Sequence, residues 1–338
     1  MKVYGGIDLH SDNSAIGLLD EQEKVLYQRR LPNDLGVILS ELLPYEQEVE
    51  GLVVESTYNW YWLVDGLMEA GYRVHLANTA AVVQYTGLKY TDDHSDALWL
   101  AKLLRLGLLP EGYIYPKEER AVRDLARKGS RLVQQRTANL LSVQNLIARN
   151  LGYGLSCRQV KDLSFEQVDA LIPEADPALA IQSTLAVMHN LDQVIELLER
   201  AVMTRVRQRP QFRALLSVNG IGEVLGLTIM LETGDIHRFP HVGNYASYCR
   251  CVGSERVSNG KRKGKGKTKN GNKYLAWAYI EAANFAVRYC PQIKRYYQRK
   301  RAKNNRIVAI KTVAHKLARA CYYILRDQVE FDVNRAFV

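Results

Sequence analysis

The feature that most constrains the fold is a succession of short apolar runs in the first third of the chain, separated by turn and helix signals. Residues 4–9 and 15–19 are two such runs, parted by Ser-Asp-Asn, a turn signal that predicts a hairpin. Residues 24–30 alternate weakly and predict a third antiparallel strand. Residues 35–43 have helical spacing and stop before Pro44. Residues 51–55 are nearly all apolar, as expected for a strand buried on both faces. An amphipathic helix over 58–70 closes at Gly71, residues 72–76 alternate as a strand, and a helix follows from Ser95. Three antiparallel strands followed by alternating helix and strand is the order of an α/β ribonuclease-H-like domain.

Four acids fall at telling places in that order. Asp8 ends the run KVYGGID, Glu55 ends GLVVE, and Asp93 and Asp96 open the apolar-periodic stretch DDHSDALWLAKLLRL. On this fold Asp8 and Glu55 lie side by side on adjacent strands, and the helical pair, one turn apart, faces the same point. Carboxylates gathered in this way are hard oxygen ligands for Mg²⁺, with water completing the shell. Such a site suits phosphoryl transfer on a nucleic-acid backbone. Each acid also has a plainer reading: Asp8 as a strand end entering a turn, Asp92 or Asp93 as a helix cap. Asp92 shares the face of Asp96 and reads as cap or outer charge. His10 and His94 stand near the acids and could orient water or DNA, or simply face solvent.

Composition narrows the partners. The chain has 338 residues, 47% hydrophobic, with 46 Lys+Arg against 36 Asp+Glu and a net charge of +10. That balance favours a polyanion, although a scaffold protein could share it. Five cysteines, Cys157, Cys249, Cys251, Cys290 and Cys321, form no C-x-x-C pair and read as reduced thiols. No signal segment precedes Asp8 and no apolar run reaches about 18 residues. A soluble protein of the bacterial cytoplasm, acting at the nucleoid, is expected.

Three domains are expected: residues 1–115, a helical assembly region over 116–208, and a mostly helical domain over 209–338. Residues 118–151 hold one internal glycine and no proline, and predict one or two long amphipathic helices. Their polar face carries Arg120, Arg123, Arg127, Lys128, Arg131, Arg136 and Arg149, either a solvated face or a track along phosphates. Residues 177–207 carry a heptad-like seam that suits an antiparallel hairpin or a dimer contact. Residues 162–172 read as a short helix and connector.

The segment LLSVNGIGEVLGL, residues 215–227, reads as a helix–hairpin–helix-like element in which Gly220 and Gly222 approach phosphate. Residues 245–252 form a strand-like apolar run, and 274–288 a long helix. Between them ERVSNGKRKGKGKTKNGNK places eight Lys or Arg and four glycines in nineteen positions. This predicts a mobile basic loop that contacts phosphates through Lys261, Arg262, Lys263, Lys265, Lys267 and Lys269. Ser258 stands just ahead of these lysines, either an ordinary turn serine or a nucleophile activated by nearby positive charge.

These residues resemble the bridge-RNA-guided DEDD transposases, the insertion-sequence family numbered one hundred and ten, which includes the pilin-gene invertase Piv. GIDLHS, VVES and TDDHSDALWLA are similar to the family's DEDD tetrad in a RuvC-like domain, falling on Asp8, Glu55, Asp93 and Asp96. SVNGIG, GDIHRFPHVGNYASYCRCVGS and SNGKRKGKGKTKNGNKYL are similar to its transposase domain, whose nucleophilic serine falls on Ser258. This sequence has Ser-Asn-Gly where Ser-Gly is commoner, which leaves Ser254 as the alternative, and Asn219 where proline is usual.

The resemblance implies a Mg²⁺-dependent DNA transposase or recombinase that joins donor and target DNA through a covalent phosphoserine. It also implies guidance by a structured RNA, with protein contacts to shape and backbone, and a dimer that pairs into a tetramer on two DNAs. Rival readings are a metal-only nuclease of the Holliday-junction type, a site-specific invertase, and a non-catalytic nucleic-acid scaffold.

Overall fold

The computed structural model describes residues 1–82, 93–253, 255–265 and 270–337. They form two compact units, Met1–Lys117 and Glu118–Val338.

The first unit is built on a six-stranded sheet. Its strands are β1 (Val3–Leu9), β2 (Asn13–Asp20), β3 (Val25–Pro32), β4 (Val49–Glu55), β5 (Val74–Ala77) and β6 (Glu111–Gly112), in spatial order β3-β2-β1-β4-β5-β6. The β1–β2 and β2–β3 pairs are antiparallel, and β4 joins β1 in parallel with Ile7 opposite Val54. Side chains alternate across a strand. Val3, Ile7 and Leu9 of β1 therefore join Leu52 and Val54 of β4 in one core with Ile38 and Leu42 of helix α1 (Leu35–Leu42) and Leu63, Val64 and Leu67 of α2 (Tyr61–Glu69). Asp34 caps α1, its carboxylate accepting from the Val37 N–H at 3.1 Å.

The opposite sheet face receives α3 (Asp93–Arg105), where Val53, Ala77 and Leu100 pack together. Close approach is possible because Gly6 and Gly17 leave room. A Cβ on Gly6 would stand 1.9 Å from the Ala97 carbonyl oxygen, and one on Gly17 2.7 Å from Leu98. Glycine in a strand interior often marks such an approach of another backbone.

The second unit is helical. Helix α4 runs unbroken over Lys117–Leu151. After the short α5 (Cys157–Lys161) and α6 (Phe165–Leu171), each opened by a serine capping box, α7 (Ala175–Val206) returns antiparallel to α4. Leu140, Val143 and Ile147 of α4 meet Ile181, Leu185 and Met188 of α7, and Arg136 pairs with Asp192. Further along α7, Val202 and Val206 of the heptad-like stretch are buried, whereas Leu197 is exposed.

A second core joins α8 (Pro210–Leu216), α9 (Glu223–Thr233), α10 (Val242–Tyr248), α11 (Lys273–Tyr289), α12 (Pro291–Arg301), α13 (Arg306–Asp327) and α14 (Val333–Phe337). Val122 of α4 and Val202 and Val206 of α7 belong to this same core, so residues 118–208 share one unit with 209–338. Of residues 245–252, expected as strand, 245–248 fall in α10 and Cys249 is its cap, with 250–252 irregular beyond it; Tyr245 and Ala246 are both buried. The expected basic loop forms a hairpin, β7 (Glu255–Ser258) with β8 (Lys261–Lys265). All five cysteines are free thiols. Among the described residues no helix is long and apolar enough to cross a membrane.

Candidate functional site

The alternation that sends Ile7 and Leu9 into the α1–α2 core sends Gly6 and Asp8 to the α3 side. On β4 the same rule puts Val53 and Glu55 on that side. The parallel register sets Asp8 and Glu55 one step beyond the Ile7–Val54 pair, at the carboxyl ends of adjacent strands. From α3, Asp96 immediately precedes Ala97, whose carbonyl lies over Gly6. Glu55 feels all of this: burial, a hydrogen bond with Asp8, and the charges of Asp8 and Asp96 push its pKa up to about 8. Asp8 is 5% exposed. Glu55, beside two further carboxyl groups, keeps its proton well above the usual carboxylate range.

The strand end is fixed by hydrogen bonds. The Asn59 and Asn33 side-chain amides donate to the His10 carbonyl at 2.8 and 3.1 Å. Thr57 donates to Asn59 at 2.9 Å and Ser14 to Asn33 at 2.7 Å, while the His10 N–H donates to Asn13. His10 Nε2 stands 3.3 Å from Asp8 Oδ2. In the sequence nothing marks Asn33 and Asn59 except that each is a polar residue following the end of a strand.

Hard, crowded carboxylate oxygens fit a divalent cation, which would relieve the repulsion that lifts Glu55. Among the described side chains no group of three or more is drawn together as a formed metal shell. Helix α3 begins at Asp93, but the side chains of Asp93 and His94, like the whole of Asp92, lie outside the described residues.

In the second unit Ser258 is exposed at the end of β7, paired with Lys261 across the turn. Asn259 and Gly260 have φ of 50° and 71°, the left-handed pair of a two-residue hairpin turn. The asparagine that parts Ser258 from Gly260 is therefore a turn residue. The base of the hairpin is closed: Asn272 N–H donates to the Tyr248 carbonyl at 2.6 Å, and Arg250 donates twice to that of Gly271, at 3.0 and 2.7 Å. Gly271, with φ 93°, would set a Cβ 2.4 Å from the Tyr248 oxygen. Lys261 and Lys263 are exposed on the hairpin. The side chains of Arg262 and Lys265, and residues Ser254, Lys267 and Lys269, lie outside the described residues.

Other expected phosphate contacts are placed differently. Arg127 makes two hydrogen bonds to Glu232, at 2.6 and 2.7 Å, and lies 4.7 Å from the Tyr274 ring centroid. Glu232 is 2% exposed and also accepts from the Asn272 side chain at 2.7 Å, so Arg127 is committed to holding α4, α9 and α11 together. Arg136 is paired with Asp192, whereas Arg131 is exposed. Arg120 and Arg123, expected on a polar face, are buried. Gly220, with φ 92°, would place a Cβ 2.4 Å from the Ala282 oxygen, so it serves the packing of the α8–α9 turn on α11. Gly222 faces open space at the start of α9.

Two family models match the chain. Residues 5–149 match a transposase model for DEDD members of the IS110 group, and residues 212–298 match the one described as "Transposase IS116/IS110/IS902 family". A probable family 20 transposase of Pseudomonas aeruginosa is 24% identical over 294 residues, 84% of each chain. The transposase for insertion sequence element IS1111A of Coxiella burnetii is 22% identical over 293 residues, covering 84% of this chain and 78% of that one.

Proposed function

From a chain that belongs to the IS110 family of transposases, and so is an enzyme of DNA transposition and recombination, we propose a divalent-metal-dependent strand exchange through a phosphoserine. The observation that carries this reading is the convergence of Asp8, Glu55 and Asp96 on one sheet face, with Glu55 forced to keep a proton. The strand order β3-β2-β1-β4-β5 supports a RuvC-like, ribonuclease-H-like identity for this unit. Asp8, Glu55, Asp93 and Asp96 would hold Mg²⁺, which when bound supplies Lewis-acid stabilisation of charge on the phosphate oxygens.

Ser258 is the nucleophile. Its Oγ bonds to phosphorus as the P–O3′ bond breaks; its proton passes to solvent base, and the leaving O3′ takes a proton to become a free 3′-OH. Attack by another 3′-OH on the phosphoserine reseals the strand and returns the serine. The exposed hairpin turn supports this role, since it lets a phosphate reach Ser258 with Lys261 and Lys263 close in sequence to offset charge. The resemblance noted above supports guidance by a structured RNA and action as a dimer paired into a tetramer.

The test is denaturing-gel trapping with the element's RNA, Mg²⁺ and a labelled DNA junction, comparing the unaltered protein with Ser258→Ala. A protein–DNA adduct lost only in the variant is expected. Free nicked product from both, with no adduct, would overturn the serine step in favour of a metal-only nuclease. Unchanged product without RNA would remove the guide.

A further inference from the structure

Helices α12, α13 and α14 enclose a cavity of about 630 Å³ that is remote in sequence from both the acids and Ser258. Its walls include Tyr296, His315, Lys316, Arg319, Tyr323 and Arg335. Around Tyr296, Lys316 Nζ, Lys300 Nζ and the Arg299 guanidinium stand 5.3, 5.4 and 5.9 Å from the ring centroid. Among the described residues no carboxylate is within ion-pair distance of these three cations or of Arg319. Two acids do line the cavity, Glu330 and Asp332, but Asp332 is engaged as a helix cap, accepting from the Asn334 and Arg335 N–H groups at 2.9 and 3.3 Å. The cations feel one another. Burial and the charges of Lys300, Arg319 and Arg299 hold Lys316 below the usual lysine range, and burial with Arg319 and Lys316 lowers His315.

Like charges crowded with no carboxylate in ion-pair distance are a standing cost in the free protein, and a bound anion reduces it. The helices present them because α13, RIVAIKTVAHKLARACYYILRD, buries Ala309, Val313, Leu317, Ala318 and Cys321 on one stripe and leaves its basic positions on the other. Aromatic groups line the same space: Tyr296, seated edge-on against Phe337 at 5.3 Å, and Tyr323, 38% exposed. A cation cluster beside an accessible ring in a concave, nucleotide-sized space is the combination that takes a phosphate and stacks an unpaired base. A duplex buries its bases and cannot enter such a cavity without flipping one out.

We infer that the α12–α13–α14 cavity is a binding site for an unpaired nucleotide of a single-stranded nucleic acid. Phosphate is held by Lys316 and Arg319, which line the cavity, and the base lies against Tyr323. The inference rests on the chain acting on DNA and not on the strand-cleavage chemistry.

The test is fluorescence anisotropy of the full chain without divalent metal, so that no cleavage step enters. The probes are a single-stranded DNA of about 12 nucleotides, the same sequence as RNA, and the DNA as duplex. Arg319→Glu combined with Lys316→Glu should weaken single-strand binding at least about tenfold and reduce the log–log salt slope by about 1.4, two phosphate contacts' worth. Tyr323→Ala should weaken it by about tenfold while leaving duplex binding within about twofold. Arg319→Lys should retain most of the affinity. The DNA and RNA arms tell which strand the site prefers. Unchanged single-strand affinity and slope in the charge-reversed variant, with an unshifted melting temperature, would overturn the site; so would equal losses on single strand and duplex. A failed Ser258 trapping experiment leaves these outcomes unaffected.

Discussion

A carboxyl group that holds its proton to about pH 8 makes the metal-free protein sensitive to alkali. Glu55 is raised from 4.5 to about 8 in the folded chain by burial and by Asp8 and Asp96. The folded state therefore binds the proton more tightly than the unfolded one, and stability falls as pH rises from about 4.5 through 8. In chelator the melting temperature should decline across that window, and Glu55→Gln should flatten the decline. Mg²⁺ should restore stability at the alkaline end; a flat profile for the unaltered protein would show that the acids do not crowd. Arg127 offers the opposite case, a charge already satisfied. Removing it strips two hydrogen bonds from the nearly buried Glu232, so Arg127→Ala should cost about 3 kcal/mol in denaturant unfolding, whereas Arg131→Ala should stay within about 0.5. A near-neutral Arg127→Ala with weakened nucleic-acid binding would return Arg127 to the role of phosphate contact.

Elements are positioned by residues that contribute least bulk. Helix α3 brings Asp96 to the strand ends only because β1 offers Gly6 beneath the Ala97 carbonyl. Gly6→Ala must push the helix away or bend the strand, so it should destabilise by at least about 2 kcal/mol and abolish strand cleavage even where the protein still folds. Full cleavage by a folded Gly6→Ala protein would show that the helix need not sit so close. That glycine lies in the apolar run that already marked β1 in the sequence, and the strands and long helices were legible for the same reason: their burial follows period 2 or 3.6 over enough residues. Residues 245–252 are too short for the two periods to be told apart, and α10 was read as strand. The β7–β8 hairpin was hidden by composition, since lysine and glycine imply disorder; the Asn259-Gly260 turn signal was present and was outweighed. The commitment of Arg127 to Glu232 was invisible because the partner is 105 residues away. Helices α12 and α13 drew no reading, although the apolar stripe of α13 repeats every three to four residues.

At the scale of the whole molecule the chemistry is divided. The acids sit in Met1–Lys117 and Ser258 in Glu118–Val338, so the proposed strand exchange would draw on both units, each folded around its own core. If the two units of a working centre come from different chains of a dimer, chains defective in one unit each can complement. Asp8→Ala disables the acids of its own chain, and Ser258→Ala the nucleophile of its own. Mixed freely, half of the dimers contain one of each. In such a dimer one centre joins both defects and the other joins neither. The mixture should therefore recover about a quarter of the adduct of unaltered protein, while each variant alone gives none. Assembly within one chain predicts no recovery at any ratio, because every centre then carries a defect. The comparison needs only the yield of covalent adduct at fixed total protein, after the two variants have been unfolded together and refolded so that subunits exchange. Recovery rising with the product of the two fractions, and peaking at equal amounts, would place the acids and the serine of each centre on different chains.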